Sequence, residues 1–192
     1  MTSLVDWQIY DALNRREIII EPFDPYALQS GSVDLRLADK LVDPADGTVI
    51  IIPAEGLEIR QGDFFLGCTE EIITVCPYIK GDLRGKSTIA RNGLTVEAAG
   101  LVDQGFSGQL TLEIFNVCRK AYRVFAGMHI TQITFERTMQ VQYPYGTDRG
   151  PSSNHYQGQL GPTLPYNSHL YATEEIVPAE VIPVIQGVAR VG

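Results

Sequence analysis

Apolar and polar side chains alternate with a period of two through much of the chain. Residues 109–117 read Gln-Leu-Thr-Leu-Glu-Ile-Phe-Asn-Val, which puts Leu110, Leu112 and Ile114 on one face of a strand and Gln109, Thr111, Glu113 and Phe115 on the other. Glu17-Ile18-Ile19-Ile20, Asp34-Leu35-Arg36-Leu37, Val49-Ile50-Ile51-Ile52, Leu57-Glu58-Ile59, Asp63-Phe64-Phe65-Leu66 and Ile72-Ile73-Thr74-Val75 are further short β-rich runs. Pro53, Gly56, Gly62, Gly67 and Pro77 divide them, and Tyr122-Arg123-Val124 and Ile130-Thr131-Gln132-Ile133-Thr134-Phe135 follow later. Many short strands at turn spacing predict a sandwich or barrel. The expected exception is a short N-terminal helix begun by Ser3 or Asp6, with Trp7, Tyr10 and Leu13 on one side.

Residues 100–108 predict strand, tight turn, strand, because Gly100, Gly105 and Gly108 supply backbone freedom around Asp103. After Met139 the pattern dissolves into Tyr143-Pro144-Tyr145-Gly146 and Gly150-Pro151-Ser152-Ser153-Asn154, followed by Tyr156-Gln157-Gly158-Gln159-Leu160-Gly161-Pro162-Thr163. We expect one domain over residues 1–192, with 140–192 forming a C-terminal lid and tail.

The 192 residues include 44% apolar and 20% charged side chains, enough for one substantial core. A net charge of −8 and a pI near 4.8 argue against a nucleic-acid polymer or an anionic membrane as partner. Met1 to Asp6 lack a leader pattern and no apolar run is long enough to span a bilayer, so a cytoplasmic protein is expected. Against that acidic background, Arg84, Lys86, Ser87, Thr88 and Arg91 gather cations and hydroxyls within eight positions, the donors a polyphosphate requires. Asp103 can accept from a sugar hydroxyl, and Glu113 is either a solvent-face residue or a carboxylate lining a cavity. Tyr156 and Gln159 can donate to phosphate oxygens, and the ring of Tyr145 can pack on a sugar. Cys68, Cys76 and Cys118 form no C-x-x-C, and His129, His155 and His169 have no ligand spacing, so no zinc is expected and the cysteines read as buried apolar residues.

Taken together, Arg84-Gly85-Lys86-Ser87-Thr88-Ile89-Ala90-Arg91, residues 100–108, Leu112-Glu113 and the Tyr156-to-Thr163 string resemble the dCTP deaminase branch of the dUTPase superfamily, over roughly residues 7–165. Residues 31–37 resemble its first motif. The resemblance implies a distorted jelly-roll, dUTPase-like barrel and a homotrimer with sites between subunits. It implies hydrolytic deamination of dCTP to dUTP and ammonia, with Glu113 and Ser87 catalytic, Arg91 on phosphate and Asp103 on the sugar. Ala99 joins the substrate-binding set. Mg²⁺ is expected to arrive with the triphosphate and not in a protein cage.

One carboxylate suffices for this chemistry, since N3-protonated cytosine is electrophilic at C4 and Glu113 can take a proton from water and return it. Two other readings stay open: a bifunctional dCTP deaminase/dUTP diphosphatase giving dUMP and pyrophosphate, and a non-catalytic nucleotide-binding homologue. The chain departs from the family's pattern at Val96 in place of a His, Gln104 in place of a Pro, and His155 in place of a Lys. Residues from about 166 onward carry no functional assignment beyond possible packing on a neighbouring subunit.

Overall fold

The computed structural model describes residues 2–147 and 155–166. Thirteen strands occur among them: β1 Thr2–Ser3, β2 Ile18–Glu21, β3 Val33–Arg36, β4 Lys40–Val42, β5 Val49–Ile51, β6 Leu57–Ile59, β7 Phe64–Val75, β8 Ile79–Gly85, β9 Leu94–Thr95, β10 Leu101–Val102, β11 Ser107–Asn116, β12 Tyr122–Val124 and β13 His129–Arg137. Two α-helices, α1 Asp6–Asn14 and α2 Ser87–Ala90, and one 3-10 helix, Pro25–Ala27, interrupt them.

One sheet runs β1-β13-β8-β10, with β3 also on β13; the other runs β5-β4-β7-β11-β9, with β2 also on β7. A small ribbon pairs β12 with β6, and every pairing is antiparallel. The fold is therefore the mainly β, dUTPase-like architecture expected. Alternation drives it: Leu110, Leu112 and Ile114 of β11 are buried beside Ile73 and Val75 of β7, and Leu35, Ile133 and Phe135 join the same core cluster from the other sheet.

Three expectations change. Asp63–Leu66 and Ile72–Val75 are not separate strands, because β7 runs unbroken through Gly67. That glycine is there for packing: a Cβ would lie 2.9 Å from Ile114 Cδ1 and 3.0 Å from Leu37 Cδ1. In α1 the buried residues are Ile9 and Ala12, whereas Trp7 and Tyr10 are exposed. Ser3 belongs to β1, and Gln8 Oε1 accepts from the Val5 amide at the start of the helix.

The third change concerns residues 100–108, which fold as strand, turn, strand yet form no hairpin. β10 pairs with β8 in one sheet, and β11 pairs with β7 in the other. Asp103 thus sits where the chain crosses between sheets, in a turn closed by the Phe106 amide donating to the Asp103 carbonyl at 3.1 Å. Gly105 has φ +93° there, and a Cβ would lie 2.7 Å from Pro144 Cβ, so the turn admits residues 144–145 against it.

Candidate active site

A cavity of about 470 Å³ opens at that crossing. Ala99, Asp103, Glu113, Tyr145, Tyr156 and Gln159 all line it, six of the residues singled out from sequence. Phe64, Leu66, Leu83, Leu101, Phe106 and Leu110 provide apolar wall, and Thr111 and Thr163 add hydroxyls. These wall residues were not singled out beforehand, although Thr111 shares the Glu113 face of β11.

Glu113 is positioned by the strand itself, opposite Leu66 in the ladder. Its Oε2 accepts the Ala98 amide at 3.0 Å, and Oε1 has no hydrogen-bond partner among the described residues. One oxygen is thus anchored and the other is available to water or ligand. Tyr145 packs its ring on Phe106 with centroids 5.8 Å apart, and its hydroxyl oxygen accepts the Tyr156 amide at 3.1 Å. Burial, with a smaller contribution from the negative charge of Asp103, raises the Tyr145 pKa, so the phenol keeps its proton for donation.

The tail from residue 155 to 166 lies along β11. Gly158 N–H donates to the Ser107 carbonyl at 2.7 Å, and the Gln157 amide bridges Ser107 N–H and the Gly105 carbonyl at 3.1 and 3.2 Å. Gln159 is buried, and its Nε2 donates to the Gln109 carbonyl at 2.7 Å. The expected donation to phosphate is therefore not its primary bond. Its Oε1 is buried without a partner among the described residues, an acceptor suited to a ligand amino or hydroxyl group. Residues 148–154 and 167–192, parts of the expected lid and tail, lie outside the described residues.

The cationic segment does not line this cavity. Arg84 and Gly85 end β8, and the Arg84 guanidinium binds Asp82 Oδ2 at 2.6 Å. Lys86 forms an ion pair with the buried carboxylate of Asp34, a member of the first motif. Ser87 and Thr88 begin α2 and Arg91 follows it; all three are exposed, and their side chains make no hydrogen bond or ion pair within the described residues. Within the single chain the structure thus separates the carboxylate half of the expected site from the cationic half.

The departures have local explanations. Val96 is fully buried in the core, so no polar group stands at its position, while a Cβ on the neighbouring segment's Gly85 would lie 3.2 Å from Glu97 Oε2. Gln104 donates to Thr138 Oγ1 at 3.2 Å and accepts the Tyr145 amide at 2.7 Å. His155 stacks on Tyr166 at 3.7 Å between centroids. Cys68, Cys76 and Cys118 are free, with Cys68 and Cys76 buried as expected; no group of three or more potential metal ligands occurs among the described residues. No helix among them is long and apolar enough to cross a membrane.

A family model described as dCTP deaminase-like matches residues 3–138. The chain belongs to that family. A relative from Methanosphaerula palustris named "dCTP deaminase, dUMP-forming" is 34% identical over 176 residues, covering 84% of this chain and 93% of its own. Another of the same name, from Mycolicibacterium smegmatis, is 38% identical over 186 residues, covering 87% and 96%. Among solved structures, 2′-deoxycytidine 5′-triphosphate deaminase from Agrobacterium tumefaciens superposes with a TM-score of 0.58 at 20% identity, a likeness of fold. That match takes in 70% of this chain and about half, 48%, of the Agrobacterium chain.

Proposed function

We propose that this protein converts dCTP to dUMP, ammonia and pyrophosphate, the bifunctional reaction, in place of the simpler conversion to dUTP that the motifs first suggested. The shift of emphasis comes from the relatives, which carry the dUMP-forming name over most of their length. The observation that carries the chemistry is the pairing in one cavity of Glu113, with one carboxylate oxygen anchored and one available, and Asp103, rooted in the other sheet's edge.

In the first step Glu113 takes a proton from water as its oxygen bonds to C4 of the cytosine. The same carboxyl returns that proton to N3, then carries the proton of the new C4 hydroxyl to the amino nitrogen, so that C4=O forms as the C4–N4 bond breaks and ammonia leaves. The buried acceptor of Gln159 suits the 4-amino group, and apolar wall around Glu113 keeps bulk water from the base. In the second step Asp103 directs a water at the α-phosphorus, and the bond to the bridging oxygen breaks to release pyrophosphate. Mg²⁺ enters on the triphosphate and neutralises its charge; protein groups for the phosphates are Tyr156 and the exposed Arg91, Ser87 and Thr88. Because those last three are exposed and do not line the cavity of their own chain, a neighbouring copy supplies them, in keeping with a homotrimer.

The deciding experiment incubates the full chain with dCTP and Mg²⁺ and separates the products by chromatography. Equal yields of dUMP, pyrophosphate and ammonia are expected. Accumulation of dUTP with stoichiometric ammonia would return the reading to a monofunctional deaminase, and unchanged dCTP would leave a nucleotide-binding homologue.

A further inference from the structure

Gln109 occupies the polar face of β11 one turn of the pleat before Thr111 and Glu113. All four of its polar groups are engaged, and three of them meet the tail. Its N–H donates to the Gln159 carbonyl at 3.0 Å, its carbonyl accepts Gln159 Nε2 at 2.7 Å, and its Oε1 accepts the Gly161 amide at 2.6 Å. The fourth, Nε2, donates to the Glu70 carbonyl at 3.3 Å.

The Glu70 contact matters because Gln109 stands at the irregularity in the β7–β11 ladder. Gln109 faces Ile72 and Thr111 faces Cys68, so residues 69–71 of β7 arch out opposite Leu110. That arch is held rigidly from below: Thr69 Oγ1 accepts the Leu110 amide at 2.9 Å and donates to the Glu71 carbonyl at 2.7 Å. Buried Glu71 clamps Arg36 of β3 through two hydrogen bonds at 2.7 and 3.0 Å. The tail runs along the edge of β11 that β7 leaves free, and one amide side chain joins it to the braced arch.

We infer that Gln109 is a positioning residue that seats the tail on the scaffold, setting Tyr156, Gln159 and Thr163 in the cavity wall at a fixed height relative to Glu113. Gln109 does not line the cavity, and it touches the ligand only through the residues it orients. The inference rests on the proposed reading of the cavity as the nucleotide site. Its effect therefore belongs to substrate capture: the tail's seating is preorganised before nucleotide arrives, and losing it makes each binding event order the segment anew.

The test compares wild type with Gln109→Met, which keeps side-chain length and removes the side-chain hydrogen bonds with Gly161, Glu70 and the Cys68 thiol, and with Gln109→Glu, which keeps an acceptor for the Gly161 amide. Hydrogen exchange is followed by mass spectrometry on the full chain without nucleotide, alongside steady-state kinetics with dCTP. For Gln109→Met, exchange is expected to accelerate in peptides covering 155–166 and stay unchanged in β7 and β13, with KM raised about 10-fold and kcat lowered less than about 3-fold, the scale of one or two neutral hydrogen bonds. Gln109→Glu should hold the tail better than the Met variant.

Wild-type tail exchange and KM in Gln109→Met would overturn the assignment. So would acceleration spread evenly through the core, or equal release of the tail by both variants. Should the Met variant not fold, Gln109→Asn draws both amide groups back from Gly161 and Glu70, and normal tail exchange in that variant would overturn it as well. If wild type turns over no dCTP, the catalytic reading fails while the exchange comparison still decides what seats the tail.

Discussion

Replacing Glu113 by Gln is expected to abolish ammonia release while leaving nucleotide binding intact. The variant can keep the hydrogen bond from the Ala98 amide, now 3.0 Å from Oε2, by presenting its amide oxygen there. The NH₂ group then occupies the place of the available oxygen, where it can donate to water but cannot take a proton. Loss of a general base costs about 10²–10⁴ in rate, about 3–5 kcal/mol in the barrier at 1.36 kcal/mol per decade. Glu113→Asp keeps the charge but withdraws it by about 1.5 Å, one carbon–carbon bond; it should lose the Ala98 contact and fall between wild type and Gln, since a misplacement near 1 Å costs about 10². A coupled ammonia assay measures turnover, and calorimetry with dCTP measures binding, expected within about 3-fold of wild type for an isosteric amide. The Gln variant should still hydrolyse supplied dUTP, because that step uses Asp103. Near-normal ammonia release by Glu113→Gln would refute the proton-shuttle argument. Equal losses in binding and turnover would make Glu113 a ligand anchor instead.

Arg91→Ala and Glu113→Gln should each be nearly inactive on dCTP, yet mixing them after dissociation and reassembly should restore about a quarter of sites if each site draws on two copies; no recovery in a reassembled mixture would place both residues in one protomer's site. Gly67→Ala should destabilise by about 1–3 kcal/mol through overpacking against Ile114, Leu37 and Leu41, read from denaturant melts, and an unchanged midpoint would contradict the packing role. Burial pushes the Cys68 thiol up to about 12, so at pH 8 it should resist alkylation in the native protein and react on unfolding, as mass spectrometry of the labelled peptide would report.

Long regular alternation was the readable part of this sequence. β11 follows the predicted phase residue by residue, because a strand with one buried face leaves no freedom of register. Gly67 misled because glycine marks both turns and crowded backbone, and only the neighbours of β7 distinguish them. The face of α1 misled because its aromatic residues point outward and the smaller Ile9 and Ala12 fill the core. β8 was not recognised at all: its Ile79, Gly81 and Leu83 alternate with charged residues, and only its last residues, Arg84 and Gly85, entered the reading, as the start of the cationic segment.

For the site, the tail motif and the pair Asp103 and Glu113 line one cavity, whereas residues 84–91, grouped with them in the sequence reading, do not line it within one chain. Sequence distance carries no information on which side of a sheet edge a loop emerges. The bonds of Gln109 were equally hidden, since they depend on an arch in β7 that no periodicity announces.

The crossing at Asp103 has a consequence for how tolerance to change should be distributed. Its carboxylate follows one sheet through β10 and that of Glu113 follows the other through β11, so their spacing reports how the two layers are stacked. A substitution deep in either layer, for example at Ile133 of β13 or Ile73 of β7, would shift one carboxylate against the other without touching either. Such a protein would recognise sugar and base separately yet fit a whole nucleotide poorly. The interior here acts as a calliper: its thickness is part of the substrate specificity, and selection on activity reaches deep into residues that never meet the substrate.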